Sequence, residues 1–174
     1  HIVFFDIGEP PRKNFSKCYQ SGPLSFEYFL DGEKIICNSG FGSNISNKAE
    51  LLSRLTACQT TLTLNDTSVT KFERNKLVNK IFGNSIKNTF KTNEINVFND
   101  NDLIGCAASH NGYEKNFGCT HKREIFFDKK NNHLKGADHI FKKKDGIPIR
   151  YVFRFHINPG LTVVKTMGGN SALI

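Results

Sequence analysis

"IRYVFRFHINPG", Ile149 to Gly160, is the clearest strand in the chain. Ile149, Tyr151, Phe153, Phe155 and Ile157 fall on one side of an extended backbone, and Arg150, Val152, Arg154 and His156 on the other. Successive side chains of a strand point to opposite faces. An apolar set at period two therefore predicts an antiparallel strand with the first set buried and the second facing water. Pro159-Gly160 ends the run, and "LTVVKTM" resumes it.

The same pattern spreads outward. "LSFEYFL" and "KIICNSG" flank Asp31-Gly32, a hairpin signal. Ile2 to Ile7 is an apolar run rich in β-branched and aromatic residues. Thr60 to Asp66 alternates and ends in turn residues. Two strands surround Asn99 to Asp102, and two more surround Lys129 to Asn132. Helical patterning is scarce. "NKAELLSRLTAC" predicts one short helix or turn, and Arg74 to Asn88 is weakly helical and Asn-rich, a helix or a long loop. No repeat or linker divides the chain. Many short strands with turns at steady spacing predict one all-β domain over 1–174, an antiparallel β-sandwich.

The 174 residues suffice for a single core. The first residue is His1 and the last four are "SALI", so the chain reads as a fragment, truncated at both ends. No apolar run approaches the roughly 18 residues of a membrane span. A missing signal peptide carries no information in a fragment. The net charge of +8 fits an anionic partner, acidic polysaccharide or nucleic acid, and equally a chain simply rich in Lys and Asn. The basic residues are scattered except Lys142-Lys143-Lys144, which precede Asp145-Gly146 and read as a solvated turn. Aromatics sit mostly on apparent core faces rather than between basic residues, which argues against nucleic acid.

The five cysteines form no CxxC pair and no zinc-ribbon spacing. Cys37 and Cys106 lie in apolar strand patterns and read as buried thiols. The six histidines show no metal-ligand spacing. "GFGSN", Gly40 to Asn44, is a glycine-rich loop with no nucleotide-binding context. "SHNGY", Ser109 to Tyr113, puts His110 and Tyr113 at a strand end. Histidine and tyrosine can abstract and return protons at a sugar carbon. The other reading is a turn set by Asn-Gly, with Tyr113 packed. His156, Arg154 and Arg150 share a strand face that suits carboxylates or sulfates, or is a solvated sheet face.

Five segments in order resemble the C-terminal β-sheet domain of the heparinase II/III-like family of polysaccharide lyases. They are Gly22 to Gly40, Arg54 to Ser68, Ala108 to Phe127, Leu134 to Phe141 and Arg154 to Pro159. The resemblance implies a supersandwich-like fold and a longer protein, with an N-terminal α-toroid domain of the same chain as partner. It implies β-elimination on anionic, uronic-acid-containing polysaccharides such as glycosaminoglycans, in a bacterial periplasm or cell envelope. The main catalytic tyrosine would lie in the toroid, so this fragment would supply one wall of the cleft. His110, Tyr113 and His156 are then catalytic candidates. Gln20, Asn38, Arg54, Gln59 and Arg154 are candidates for binding substrate. Zinc-containing members place a His, an Asp and a His where this sequence has Gln20, Asn38 and Gln59. Amides are weak zinc ligands, so the expectation is no cofactor, with the three amides hydrogen-bonded to one another. The alternative is a non-catalytic, glycan-binding or structural β-sandwich of the same family.

Overall fold

The computed structural model describes residues 1–143 and 149–174. Lys144, Asp145 and Gly146 of the expected solvated turn lie outside the described residues. Strands β1 (Ile2–Phe5), β2 (Phe26–Leu30) and β3 (Glu33–Ile36) form an antiparallel sheet in that order. Strand β4 (Leu62–Leu64) pairs with β9 (Tyr151–Phe153). A four-stranded meander holds β5 (Thr92–Asn99), β6 (Leu103–His110), β7 (Cys119–Asp128) and β8 (His133–Lys142). The short strands β10 (Val164–Lys165) and β11 (Ala172–Leu173) pair with each other.

Local chemistry explains the turns. Asp31 and Gly32 have φ of 51° and 87°, the doubly positive backbone that a tight two-residue hairpin turn needs. Asp100 Oδ1 accepts from the backbone N–H groups of Asp102 and Leu103, and Asp128 Oδ1 accepts from that of Asn131. These side chains stand in for backbone acceptors and fix the two meander hairpins. Helix α1 (Asn47–Ser53) starts where Ser46 Oγ accepts from Ala49 N at 3.1 Å. A 3-10 turn, Thr56–Cys58, follows it. Asn75 caps α2 (Lys76–Phe82) in the same way, so the stretch read as helix or loop contains a two-turn helix. The Ser109 to Tyr113 turn leads into a single helical turn, α3 (Glu114–Phe117).

The chain beyond β9 ties β3 to β4. Cys37 N donates to His156 O at 2.9 Å, Ile36 bridges Ile157, and Arg154 N donates to Thr61 O. This composite layer faces the meander. Between them Leu62, Leu64, Val69, Phe90, Tyr113 and Cys119 form the core cluster.

Two face assignments are corrected. On the Ile149 to Ile157 stretch, Tyr151, Phe153 and Phe155 are 42%, 38% and 53% exposed, while Val152, Arg154 and His156 are half-buried. The polar side turns inward because its partners there are polar. Arg154 bonds Thr63 Oγ1 and Asp66, and the His156 ring meets Ala57 O at 3.2 Å. Thr60 to Leu64 shows no alternation, since all five residues are buried. Thr60 and Thr61 satisfy their hydroxyls on Cys37 O and Pro23 O, each at 2.8 Å, which lets both faces leave water. All five cysteines are free. Cys119 is buried, Cys37 and Cys106 are half-buried, and Cys18 is exposed.

Candidate functional site

Strand β7 places His121 and Arg123 on one face together with Cys119 and Ile125, all buried, while Lys122 and Glu124 alternate outward and pair at 2.7 Å. The register sets His110 of β6 directly opposite His121, and Asp138 of β8 opposite Arg123. Cross-strand neighbours and their diagonals lie within side-chain reach, so four polar groups converge inside the sandwich.

Their hydrogen bonds form one directed chain. Gly112 N–H donates to His110 Nδ1 at 3.1 Å. His110 must then carry its proton on Nε2, which lies 3.3 Å from His121 Nδ1. His121 Nδ1 therefore accepts, and its Nε2–H donates to Asp138 Oδ1 at 2.6 Å. Each assignment forces the next, so both imidazoles are neutral Nε2–H tautomers. Arg123 donates from Nε to Asp138 Oδ1 at 2.7 Å and from Nη2 to Oδ2 at 3.0 Å. Its Nη1 donates to Leu24 O and Thr60 O of the opposite layer, each at 2.8 Å.

The electrostatics agree with the tautomers. Burial first, and then the repulsion that a proton on His110 would meet from a protonated His121 and from Arg123, hold His110 well below the ordinary imidazole pKa. Burial also lowers His121, against an upward pull from Asp138. Burial pushes Asp138 up, but hydrogen bonds from His121 and Arg123 outweigh it, and the carboxyl ends below its usual range. Arg123 and Asp138 form the floor of a cleft of about 240 Å³ whose walls include Phe26, Ile36 and Phe155, with Lys135 beside them. Asp138 thus connects the buried histidines to the cleft.

A family model described as "Heparinase II/III-like, C-terminal" matches residues 2–174. The chain belongs to the heparinase II/III-like family and is a C-terminal domain of it. Searches of curated proteins and of solved structures return no match.

In this heparinase II/III-like domain the expected site residues separate into four places. His110 and Tyr113 meet, with ring centroids 5.7 Å apart. Both are buried, and the Tyr113 hydroxyl donates to Leu62 O at 2.8 Å. Burial raises the Tyr113 pKa well above that of a free phenol. His156 and Arg154 lie on the β9 chain, the former against Ala57 O and the latter on Thr63 and Asp66. Arg54 is fully buried and donates to Tyr19 O and Ser16 O.

The three amides share a neighbourhood without bonding one another among the described residues. Asn38 Oδ1 accepts from Thr60 N at 2.8 Å, and its Nδ2 faces Ser25 Oγ. Gln59 Nε2 donates to Ser53 O at 2.8 Å. Gln20 O accepts from Gly22 N, and a Cβ on Gly22 would meet Ser25 Oγ at 2.9 Å and Gln59 Cγ at 3.0 Å. The mutually bonded cluster expected from the sequence is replaced by separate contacts: the Asn38 and Gln59 side chains each brace a different backbone segment, while Gln20 meets Gly22 through its backbone carbonyl. Neutral amides do not fit a zinc ion, which takes imidazole, thiolate or carboxylate.

Sequence reading missed His121, Arg123 and Asp138. The signal was in "CTHKREIFFD": Cys119, His121, Arg123 and Ile125 fall at every second position, with the polar residues Thr120, Lys122 and Glu124 between them. A face on which apolar ends bracket a His and an Arg predicts a buried polar pair that needs partners.

Proposed function

We propose that this chain is the β-sandwich domain of a polysaccharide-lyase-like protein acting on uronic-acid-containing anionic glycans by β-elimination. The observation that carries this is the family match across residues 2–174. The chain would supply one wall of the substrate cleft in a bacterial periplasm or cell envelope, with a helical toroid of the same protein supplying the main catalytic tyrosine. In β-elimination a base removes the proton beside the carboxylate and an acid protonates the leaving oxygen. Within this chain, Arg123 and Asp138 would hold the cleft floor rigid, and the bond to Asp138 would keep His121, and through it His110, in one tautomer. Gln20, Asn38 and Gln59 would act without zinc, Asn38 and Gln59 as braces of the loops around them.

A second reading is a non-catalytic, glycan-binding or structural β-sandwich. The burial of both His110 and Tyr113, with the Tyr113 hydroxyl and His110 nitrogens engaged inside the sandwich, favours it. The deciding experiment is an ultraviolet assay for unsaturated uronate products. The full-length protein is presented with a panel of acidic polysaccharides, with and without a chelator. Absorbance that grows and survives the chelator supports a metal-free lyase. A folded protein that yields none on any glycan supports the binding or structural reading.

A further inference from the structure

A second and larger groove, about 940 Å³, opens between α1 with its following 3-10 turn and the α2 segment. Its lining includes Leu51, Leu55 and Phe72 as an apolar bed, and Thr70 and Asn79 as polar groups. It contains none of His110, Tyr113 or His156, and no imidazole or phenol at all among the described residues.

Three observations give the groove a ligand preference. First, its charge is unbalanced. Asp66 is neutralised by Arg150 at 3.1 Å and Arg154 at 3.4 Å. Glu73 is occupied by Lys87 and by the N–H groups of Arg74 and Asn75, and these bonds hold its carboxyl below the usual range. Lys71 and Arg74 stand exposed at the rim with no ion-pair partner among the described residues. Second, Arg54 lies beneath the bed. Its guanidinium stacks 4.2 Å from the Phe72 ring centre, forms no ion pair among the described residues, with Glu50 acting on it only from a longer distance, and leaves Nη1 without a hydrogen-bond partner. A buried cation without an ion-pair partner favours an anion nearby. Third, Thr70 Oγ1 and Asn79 Oδ1, both in the lining, are buried polar atoms without a partner. Such atoms in a native structure call for an explanation.

We propose that this groove is a non-catalytic binding site for a carboxylate-bearing saccharide. The inference rests on the glycan reading above and adds a location and a recognition chemistry to it. The sugar carboxylate would meet Lys71 and Arg74, its ring would lie on Phe72, and its hydroxyls would bond Thr70 and Asn79. Aliphatic and aromatic surface with a few convergent polar groups is the usual make-up of a small-ligand site. No imidazole or phenol lines the groove, and its two carboxylates are already engaged, Asp66 by Arg150 and Arg154 and Glu73 by Lys87 and two backbone N–H groups. It therefore retains a chain rather than cutting it.

The test is a titration of the ¹⁵N-labelled protein with a hyaluronan tetrasaccharide, whose only charges are carboxylates. Cellotetraose and oligothymidylate serve as neutral and nucleic-acid comparisons. The expected result is amide shifts concentrated at residues 70–74 and at Asn79. The exposed double variant Lys71→Ala/Arg74→Ala should keep the wild-type spectrum and weaken binding by about tenfold or more. Thr70→Val should weaken it by a smaller factor. Shifts confined to another surface would overturn the groove and leave the glycan reading standing. Equal shifts with cellotetraose, or stronger ones with oligothymidylate, would overturn carboxylate-sugar recognition. No shift with hyaluronan also overturns the groove, and the elimination assay then decides separately whether the glycan reading survives.

Discussion

Arg123 and Asp138 face each other across β7 and β8, and the guanidinium grips the carboxylate at two points, 2.7 Å and 3.0 Å. The remaining arginine nitrogen crosses to Leu24 O and Thr60 O. One side chain therefore joins the meander to the layer opposite. A paired charge can leave water, whereas the same charge stripped of its partner is held in a low-dielectric interior with nothing to balance it.

Asp138→Asn keeps the shape and removes the charge. It should destabilise the fold by about 3–5 kcal/mol, because Arg123 stays charged and buried. Arg123→Lys should fail to rescue function or stability, since an ammonium lacks the fork that reaches both the carboxylate and two carbonyls. Urea unfolding of the three proteins measures this. An Asp138→Asn midpoint equal to that of wild type would show that the pair is not what joins the layers.

Stability should also fall as the solution is acidified from neutrality. His110 and His121 are both held below their ordinary pKa, so the unfolded chain takes up protons before the folded one does. Their contribution is complete above the unfolded pKa of about 6.5 and is lost progressively below it. Each histidine that stays neutral in the fold adds a slope of up to about 1.4 kcal/mol per pH unit. Asp138, also lowered, adds its own loss only below about pH 4, its ordinary range. Urea midpoints between neutrality and mild acid check the sign. His121→Gln should flatten the upper part of the curve, and a wild-type curve already flat there would contradict buried neutral imidazoles.

Much of the fold was legible because turns and strand runs are local. The Asp31-Gly32 hairpin, the two meander hairpins and the short helix near Asn47 follow from residue types within a few positions of one another. What was not legible depends on partners far away in sequence. The β9 chain carries an aromatic face at period two, yet Arg154 and His156 turn inward because Thr63, Asp66 and Ala57 await them some ninety residues upstream. The buried His110 and His121 and the half-buried Asp138 come from three strands, and only their register aligns them. A hydrophobicity pattern assigns such residues to the surface, since it has no means of counting distant hydrogen-bond partners.

Gly105 tests how closely β6 and β7 approach. A Cβ there would lie 2.3 Å from Ile125 O and 2.6 Å from Phe126 Cα, both backbone atoms that cannot swing aside. Gly105→Ala should therefore force the strands apart and cost at least about 1–3 kcal/mol. Gly160, in the turn after Pro159, is the control, because its added methyl would meet nothing within 4 Å. Gly160→Ala should be neutral or slightly stabilising, through lost freedom of the unfolded chain. Thermal melts of the two variants compare them directly, and similar melting temperatures would remove the argument from close approach.

Metal dependence provides the last prediction. Gln59 Nε2 is committed to Ser53 O and Asn38 Oδ1 to Thr60 N, so the amides contribute through backbone bracing. Chelator should leave the melting temperature unchanged, and added zinc should not raise it, because a ligand stabilises only a fold that binds it. Gln59→Ala should lower stability by about 1–3 kcal/mol, as the Ser53 carbonyl loses its closer donor, keeping only the longer bond from Ser39 Oγ, and the packing against Gly22 opens. Thermal melts with chelator, with zinc and with neither, on wild type and Gln59→Ala, separate the two sources of stability. A zinc-dependent rise that disappears in Gln59→Ala would show that the site takes the metal after all, with Gln59 as a ligand rather than a brace.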